Sequence, residues 1–257
     1  MSNLEELQLK FPVIGNEVFV DGKNIKDMIN SLTQLKKFQF NILSTISYQN
    51  PINSISNEFI ENTFTNWKFN EVICCVDHFG DERKSQCRIY SYPYRWREYN
   101  QITNHFPGGL FHCVREISLF DERPFEHRFF LRIAQSFPLI EIFALKNGKQ
   151  QTNKQSRKSL HDNEQSSLIR YPRLRQLDLF QAHEDYYEEF LLDTLIVLPN
   201  TVHLFLNYRP LKKITHNFQR NATRINCSKI QSLHIDCYNR LPKYFKEYFP
   251  RTPIIKC

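Results

Sequence analysis

The stretch Phe137–Leu145, FPLIEIFAL, decides the fold because altered copies of it recur along the chain. Tyr171–Leu179, YPRLRQLDL, aligns with it residue for residue. Leu198–Leu206 and Cys227–Ile235 supply a third and a fourth copy, and Val114–Leu119 supplies the core of a fifth. The shared pattern is an apolar residue, two variable positions, an apolar residue, one variable position and an apolar residue. This recurrence predicts a set of equivalent strands.

The spacing of the copies indicates a repeat architecture. Their first pattern positions are residues 114, 140, 174, 201 and 230, with Thr201 the one polar substitute, so the steps are 26, 34, 27 and 29 residues. Leucine-rich repeats are about 20 to 29 residues long and contain one strand plus one helix or 3₁₀ turn. The step of 34 contains the polar segment 146–168, which we interpret as a flexible insert. Removing part of it restores the period.

Helical patterns lie between the copies. Pro124 suits the first position of a helix, and apolar residues follow at helical spacing over 125–134. Similar patterns predict helices over 187–195 and 241–249. Strands that alternate with helices require a parallel sheet. We therefore predict an α/β fold, a leucine-rich-repeat-like solenoid of irregular repeats with a curved parallel sheet and outer helices, spanning residues 1–257 as a single domain.

The N-terminal half follows the pattern less closely. Residues 4–9 (LEELQL) fit it, and residues 35–40 (LKKFQF) repeat it 31 residues later. Segment 41–113 reads as degenerate repeats or as a β insertion. Within it, the runs 71–76 and 87–92 are rich in β-branched and aromatic residues and flank a turn-forming stretch, so they predict two strands of a hairpin.

Charge and glycine content restrict the function. The formal net charge is +7, of which residues 146–170 contribute +4. A basic balance can indicate nucleic-acid binding, and the basic part of the insert, 146–158, is the candidate for that alternative. Because most of the excess charge lies in one polar insert, nucleic acid is the less favoured partner. The six glycines form neither a P-loop nor a GxGxxG turn, so no nucleotide cofactor is predicted.

Cysteine usage and the missing motifs point away from catalysis. Seven cysteines at irregular spacing do not make a disulfide framework. The group Cys74, Cys75, His78 and Cys87 lacks the paired spacing of a zinc site, and the motifs GxSxG and HExxH are absent. The opening residues lack the basic start and the apolar core expected of a signal peptide, and no apolar run reaches about 18 residues. We expect a reduced cytoplasmic or nuclear protein that contacts no membrane, binds no metal or cofactor and is not an enzyme.

Several stretches resemble the repeat region of F-box proteins with a leucine-rich-repeat tail. They are 107–138, 171–179 and 232–250, together with the opening NLEELQL and the 92–94 region. In that family an N-terminal F-box binds the Skp1 adaptor of an SCF-type ubiquitin ligase, and the repeats hold the substrate. We expect no F-box ahead of the first repeat, so the resemblance implies only the substrate-receptor half. A Skp1-type adaptor would bind only if a longer product supplied the F-box, and a truncated non-functional copy is the alternative.

The resemblance and the alternation of strand side chains together predict a partner-binding face. Residues that flank the second and third apolar positions point away from the core, onto the concave side of the expected solenoid. We call this set of outward residues the ladder. Its predicted contacts are Glu116, Ser118, Phe120, Gln176, Asp178, Phe180, His203, Phe205, Asn207, Ser232 and His234. Ile142 and Ala144 continue this ladder in the middle, and Glu6, Gln8, Lys37 and Gln39 extend it at the N-terminal end. Both charges and several aromatic side chains occur in it, which favours a protein ligand over nucleic acid.

Overall fold

The computed structural model describes residues 4–15, 17–48, 55–153, 168–236, 241–250 and 252–256. Their contacts divide the chain into two compact units where the sequence predicted a single domain. The first unit is Met1–Arg95 with His105–Pro107, and the second is Trp96–Asn104 with Gly108–Cys257. Each unit has its own sheet.

The first unit contains a four-stranded mixed sheet and two helices. Its elements are β1 (Glu6–Ile14), α1 (Gly22–Ile29), β2 (Lys37–Ser47), α2 (Asn57–Asn62), β3 (Glu71–Phe79) and β4 (Lys84–Tyr92). The strand order is β1-β2-β4-β3. β1 and β2 are parallel, whereas β4 is antiparallel to both β2 and β3. The hairpin predicted within 41–113 is therefore confirmed.

Strand β1 is an edge strand whose sequence limits further pairing. The carbonyl of Glu5 accepts hydrogen bonds from the N–H groups of Lys36 and Lys37, so the odd-numbered residues of this segment direct their backbone groups towards β2. Pro12 and Lys10 consequently fall at outward-facing positions. There the missing N–H of Pro12 costs no bond in the sheet, and both residue types oppose pairing with another chain.

The second unit contains a seven-stranded sheet in which every pair of neighbours is parallel. Its order is β13-β12-β11-β9-β7-β6-β5, and β8 and β10 form a separate parallel pair. The strands are β5 (Glu98–Ile102), β6 (Glu116–Phe120), β7 (Ile142–Asn147), β8 (Ile169–Arg170), β9 (Gln176–Ala182), β10 (Ile196–Val197), β11 (Val202–Leu206), β12 (Ile230–Ile235) and β13 (Ile254–Lys256). The helices are α3 (His127–Ser136), α4 (Glu184–Leu191), α5 (Tyr208–Ile214), α6 (Asn221–Ser228) and α7 (Phe245–Tyr248). The predicted α/β class with a parallel sheet is confirmed.

The pairing register of this sheet matches the phase of the sequence repeat. Ile117 pairs with Phe143, Phe143 with Leu177, Leu177 with Leu204, and Leu204 with Leu233. These are the second apolar positions of five successive copies, and all five side chains are fully buried. The spacing of apolar residues therefore fixed which residues would lie side by side.

The helices differ from their predictions at the ends. α3 begins at His127, three residues after Pro124, and Glu126 is its N-cap. α4 begins at Glu184, three residues before the predicted start, and ends at Leu191, four residues before the predicted end. α7 covers only four of the residues 241–249, and α5 and α6 were not predicted. Among the described residues, no helix combines the length and the apolar character needed to cross a membrane.

The predicted insert 146–168 begins later than the sequence suggested. Lys146 and Asn147 belong to β7, and Gln151 is buried, with its Nε2 donating to the Phe125 carbonyl at 2.9 Å. Its backbone N–H donates to Asp185 Oδ2 at 3.0 Å. Residues 154–167 of the insert lie outside the described residues.

Candidate functional site

Five neighbouring strands bring the central part of the ladder into two rows. The first row is Glu116, Ile142, Gln176, His203 and Ser232, and the second is Ser118, Ala144, Asp178, Phe205 and His234. Neighbouring strands in a sheet are about 4.8 Å apart, so each row is about 19 Å long. Residues predicted from five separate stretches of sequence thus share one continuous surface.

The predicted alternation of side chains is observed with one exception. Along β6, β9 and β11 the apolar positions are buried and the ladder positions are partly exposed. Ser232 on β12 was predicted to face outward but is only 5% exposed. Its hydroxyl lies between two larger side chains, those of His203 and His234, which explains its burial.

His203, Ser232 and His234 form a short hydrogen-bond chain. His203 Nδ1 lies 2.6 Å from Ser232 Oγ, which in turn lies 3.2 Å from His234 Nε2. One hydroxyl proton can be donated to only one ring, so the other imidazole must donate an N–H to Oγ. The tautomers of the two histidines are therefore coupled. Burial, and secondarily the charge of His203, lower the pKa of His234 below its ordinary value.

An aromatic cluster occupies one end of the rows. The rings of Phe205 and His234 are stacked, with centroids 3.9 Å apart. Phe180 meets Phe205 edge-on at 6.3 Å. All three side chains are partly exposed. Stacked and edge-on pairs are favourable aromatic geometries, so the three side chains form a ready-made apolar platform, which we call the aromatic cluster.

Some of the predicted contact residues already form hydrogen bonds or ring contacts within the protein. Ser118 Oγ accepts a hydrogen bond from the Gln101 N–H at 2.9 Å, and Asn207 Nδ2 donates to the Phe180 carbonyl at 2.8 Å. These two side chains hold neighbouring strands and turns together. Phe120, also in the predicted set, lies 5.3 Å below the ammonium group of Lys146. The sequence assigned Lys146 to the insert, whereas the structure places it beside Phe120 on the next strand.

Three other ladder residues keep polar groups available. Within the described part of the chain, the side chains of Glu116 and Gln176 form no hydrogen bond or ion pair. Asp178 uses Oδ1 to accept from the Phe180 N–H at 3.0 Å, which leaves Oδ2 for another donor. These groups can therefore recognise a ligand without breaking a contact inside the protein.

The N-terminal extension of the ladder belongs to the other sheet. Glu6 pairs with Lys37, and Gln8 pairs with Gln39, in the sheet of the first unit. The ammonium group of Lys37 also forms an ion pair with the Glu6 carboxylate. The predicted continuous array was wrong at this point, because β2 is followed by the antiparallel strand β4 and not by another repeat.

The structure also reveals a polar group at the carboxyl edge of the sheet that sequence reasoning missed. Asp121 Oδ2 accepts from the backbone N–H and the Nδ2 of Asn104, at 2.8 and 3.0 Å. Asn147 Nδ2 donates to the Arg123 carbonyl at 2.7 Å. The spacing of the sequence could have revealed this group. Asn104, Asp121 and Asn147 each stand two positions after a buried apolar residue, namely Ile102, Leu119 and Leu145. These bonds fasten the turns that follow β5, β6 and β7.

Comparisons with known proteins do not assign a family. No family model matches the chain, and neither the curated proteins nor the solved structures give a match. Within the described ranges, no three His, Cys, Asp or Glu side chains converge to hold a metal ion. A proposal for the function therefore depends on the geometry of the ladder.

Proposed function

We propose that this chain is a non-catalytic protein-interaction module that binds its partner on the ladder. The observation that supports it is the alignment, across five strands, of partly exposed carboxylate, amide, imidazole and phenyl groups in two registered rows. Protein interfaces combine aromatic anchors with a polar surround. A module of this kind would resemble the substrate-recognition repeats of an F-box ubiquitin ligase receptor.

The same proposal includes a leucine-rich-repeat-like solenoid. Its support is the coincidence of sequence period and strand register in the second unit, since repeats stack through contacts with their nearest neighbours. In that architecture the strands line the concave side, which would be the face that carries the ladder. Action in the cytoplasm or nucleus is part of the proposal, and the free thiols of the buried residues Cys74, Cys75, Cys87 and Cys227 suit a reducing compartment.

Charge favours a protein partner over nucleic acid. Glu116 and Asp178 both lie on the ladder, and phosphate groups would be repelled by them. Lys146, on the strand beside Phe120, lies over the ring of that residue. A surface that tracks a nucleic-acid backbone is instead lined by cations. The alternative of binding through 146–158 relies mainly on residues outside the described ranges.

Site-specific photo-crosslinking tests the location of the site. The photoreactive residue p-benzoylphenylalanine would replace Gln176 on the ladder or, as a control, the exposed Gln219. Irradiation in cell lysate is expected to give a discrete protein adduct from position 176 and none from position 219. The Phe205→Ala change should weaken adduct formation at least tenfold, because large effects concentrate in aromatic anchors, whereas Tyr244→Ala should not.

Other adducts would lead to different conclusions. Equal crosslinking from positions 176 and 219 would contradict the assignment of the partner-binding site to the ladder. Nuclease-sensitive adducts would favour the nucleic-acid alternative. A Skp1-type adaptor among the adducts would indicate that the chain joins a ligase without a recognisable F-box.

A further inference from the structure

A small residue, Ala144, lies in the middle of the ladder, and we call its position the floor. In the second row Ala144 stands between Ser118 and Asp178, and in the first row Ile142 stands between Glu116 and Gln176. Ala144 is only partly buried, and its methyl group extends little above the sheet. A ligand side chain can therefore approach the backbone of β7 closely at this position.

Two carboxylates flank this floor. Glu116 and Asp178 lie on the strands to either side of β7 and two positions apart along the strand direction. Strand spacing and rise place their Cα atoms roughly 12 Å apart. Neither residue forms an ion pair with any other described residue, and the nearby Lys146 is directed at Phe120. A cationic side chain over Ala144 would thus lie between two carboxylates that form no ion pair with the described residues.

The aromatic cluster lies at a fixed distance from the floor. Phe205 is in the same row as Ala144 but two strands away, which is about 10 Å. In a polyproline II segment, residues three apart lie on the same side and are separated by about 9 Å. The two sites therefore match the spacing of positions i and i+3 in such a segment.

We infer, on the basis of the proposed function, that the partner is a linear peptide segment lying across the strands in a polyproline II conformation. Its Lys or Arg lies over Ala144 between Glu116 and Asp178. Its aromatic or large apolar side chain, three residues away, packs on the aromatic cluster. Preformed polyproline II segments lose little conformational entropy on binding and commonly dock against aromatic side chains.

Peptide selection with charge reversal tests this inference. The whole chain would be used to select from a displayed library of random twelve-residue peptides, and selected peptides would be titrated by fluorescence anisotropy. We expect enrichment of sequences with a basic residue three positions from an aromatic or large apolar one. The Glu116→Lys variant should bind them at least tenfold more weakly, and peptides with Glu in place of the basic residue should regain affinity for it. The matched control Glu247→Lys carries the same charge change on α7 and should bind like the original chain.

The outcomes separate this inference from the proposed function. Peptides that lose affinity with Phe205→Ala but are indifferent to Glu116→Lys would overturn the inference and leave the ladder as a protein-binding site. Selected peptides that ignore both changes would overturn both proposals. Preferential binding of single-stranded RNA homopolymer, displaced by salt, would overturn both in favour of nucleic acid.

Discussion

Phe205 and His234 lie face to face on the neighbouring strands β11 and β12, with ring centroids 3.9 Å apart and planes inclined by 11°. This arrangement covers one face of the imidazole, and the hydroxyl of Ser232 contacts its Nε2. Burial, followed by the charge of His203, lowers the pKa of His234 below 6.5. The neutral ring is therefore the form that the folded protein favours.

The lowered pKa predicts that acid destabilises the fold. Below pH 6.5 the unfolded chain binds a proton at His234 more readily than the folded protein does, so stability falls as pH drops through the folded-state pKa. The contribution is fully present above pH 6.5. Urea unfolding at pH 7.5 and pH 5 should show a smaller loss of stability for His234→Phe, which keeps an aromatic ring but cannot titrate. An equal loss in both proteins would contradict the assignment.

Gly22 is predicted to resist substitution. A Cβ atom at this position would lie 2.5 Å from the Thr63 carbonyl oxygen, and the Gly22 N–H donates to Thr63 Oγ1 at 2.7 Å. Gly22→Ala should reduce the free energy of unfolding by about 1 to 3 kcal/mol, the usual cost of overpacking. Gly80→Ala is the matched control, because nothing lies within 4 Å of its added Cβ. Similar urea midpoints for the two variants would refute the close approach.

Asn226 is predicted to be a major contributor to stability. Its fully buried Nδ2 donates to the carbonyls of Ile196 and Phe190, at 2.6 and 3.2 Å, while Oδ1 accepts from the Leu198 N–H at 3.2 Å. Asn226→Ala leaves these backbone groups unpaired and should cost about 2 to 3 kcal/mol. Asn221→Ala, at an exposed position of the same helix, should change stability by less than about 0.5 kcal/mol. Thermal and urea unfolding would compare the two.

The cysteines predict a sharp order of chemical reactivity. Burial raises the pKa of Cys75 and Cys227, and a hydrogen bond with Cys74, followed by burial, raises that of Cys87. Because the thiolate is the reactive form, iodoacetamide at pH 8 should spare these thiols in the folded protein. The partly exposed Cys113 should react first among the described cysteines. Mass spectrometry of timed samples would test this, and labelling of Cys227 as fast as Cys113 would contradict it.

Apolar spacing was sufficient to predict the register of the second sheet. A strand buries alternate side chains. Aligning two copies by their apolar positions therefore pairs Phe143 with Leu177, and the residues on either side of them pair in the same register. In the first unit the same reasoning holds for β1 and β2, where Leu7 pairs with Phe38 and Leu9 with Phe40, but it fails beyond β2. The pattern at 35–40 correctly marks buried positions of β2, but burial of one face does not specify whether the next strand runs parallel or antiparallel.

The segment between β11 and β12 shows a different limit of prediction from sequence. His216, Asn217 and Phe218 have φ values of 48°, 57° and 64°, a conformation that usually signals glycine. No glycine marks this turn, and the Phe218 N–H is instead bonded to Thr215 Oγ1 at 3.2 Å. Tertiary packing of the buried Phe218 ring against Phe245, at 4.9 Å, stabilises a turn that local sequence signals do not reveal.

Because the repeat phase matches the strand register, the sheet can accept two kinds of sequence change: a longer connection between strands and a substitution at an outward position. Copies 26 and 34 residues apart enter the same sheet in step, so added length is absorbed by the connections. The outward positions of β6, β7, β9 and β11 are partly or fully exposed. Substitutions there can alter what the surface recognises while the buried positions preserve the pairing. Apart from side chains such as Ser118, which also accepts a hydrogen bond from the Gln101 N–H, recognition can therefore change while the strand pairing is kept.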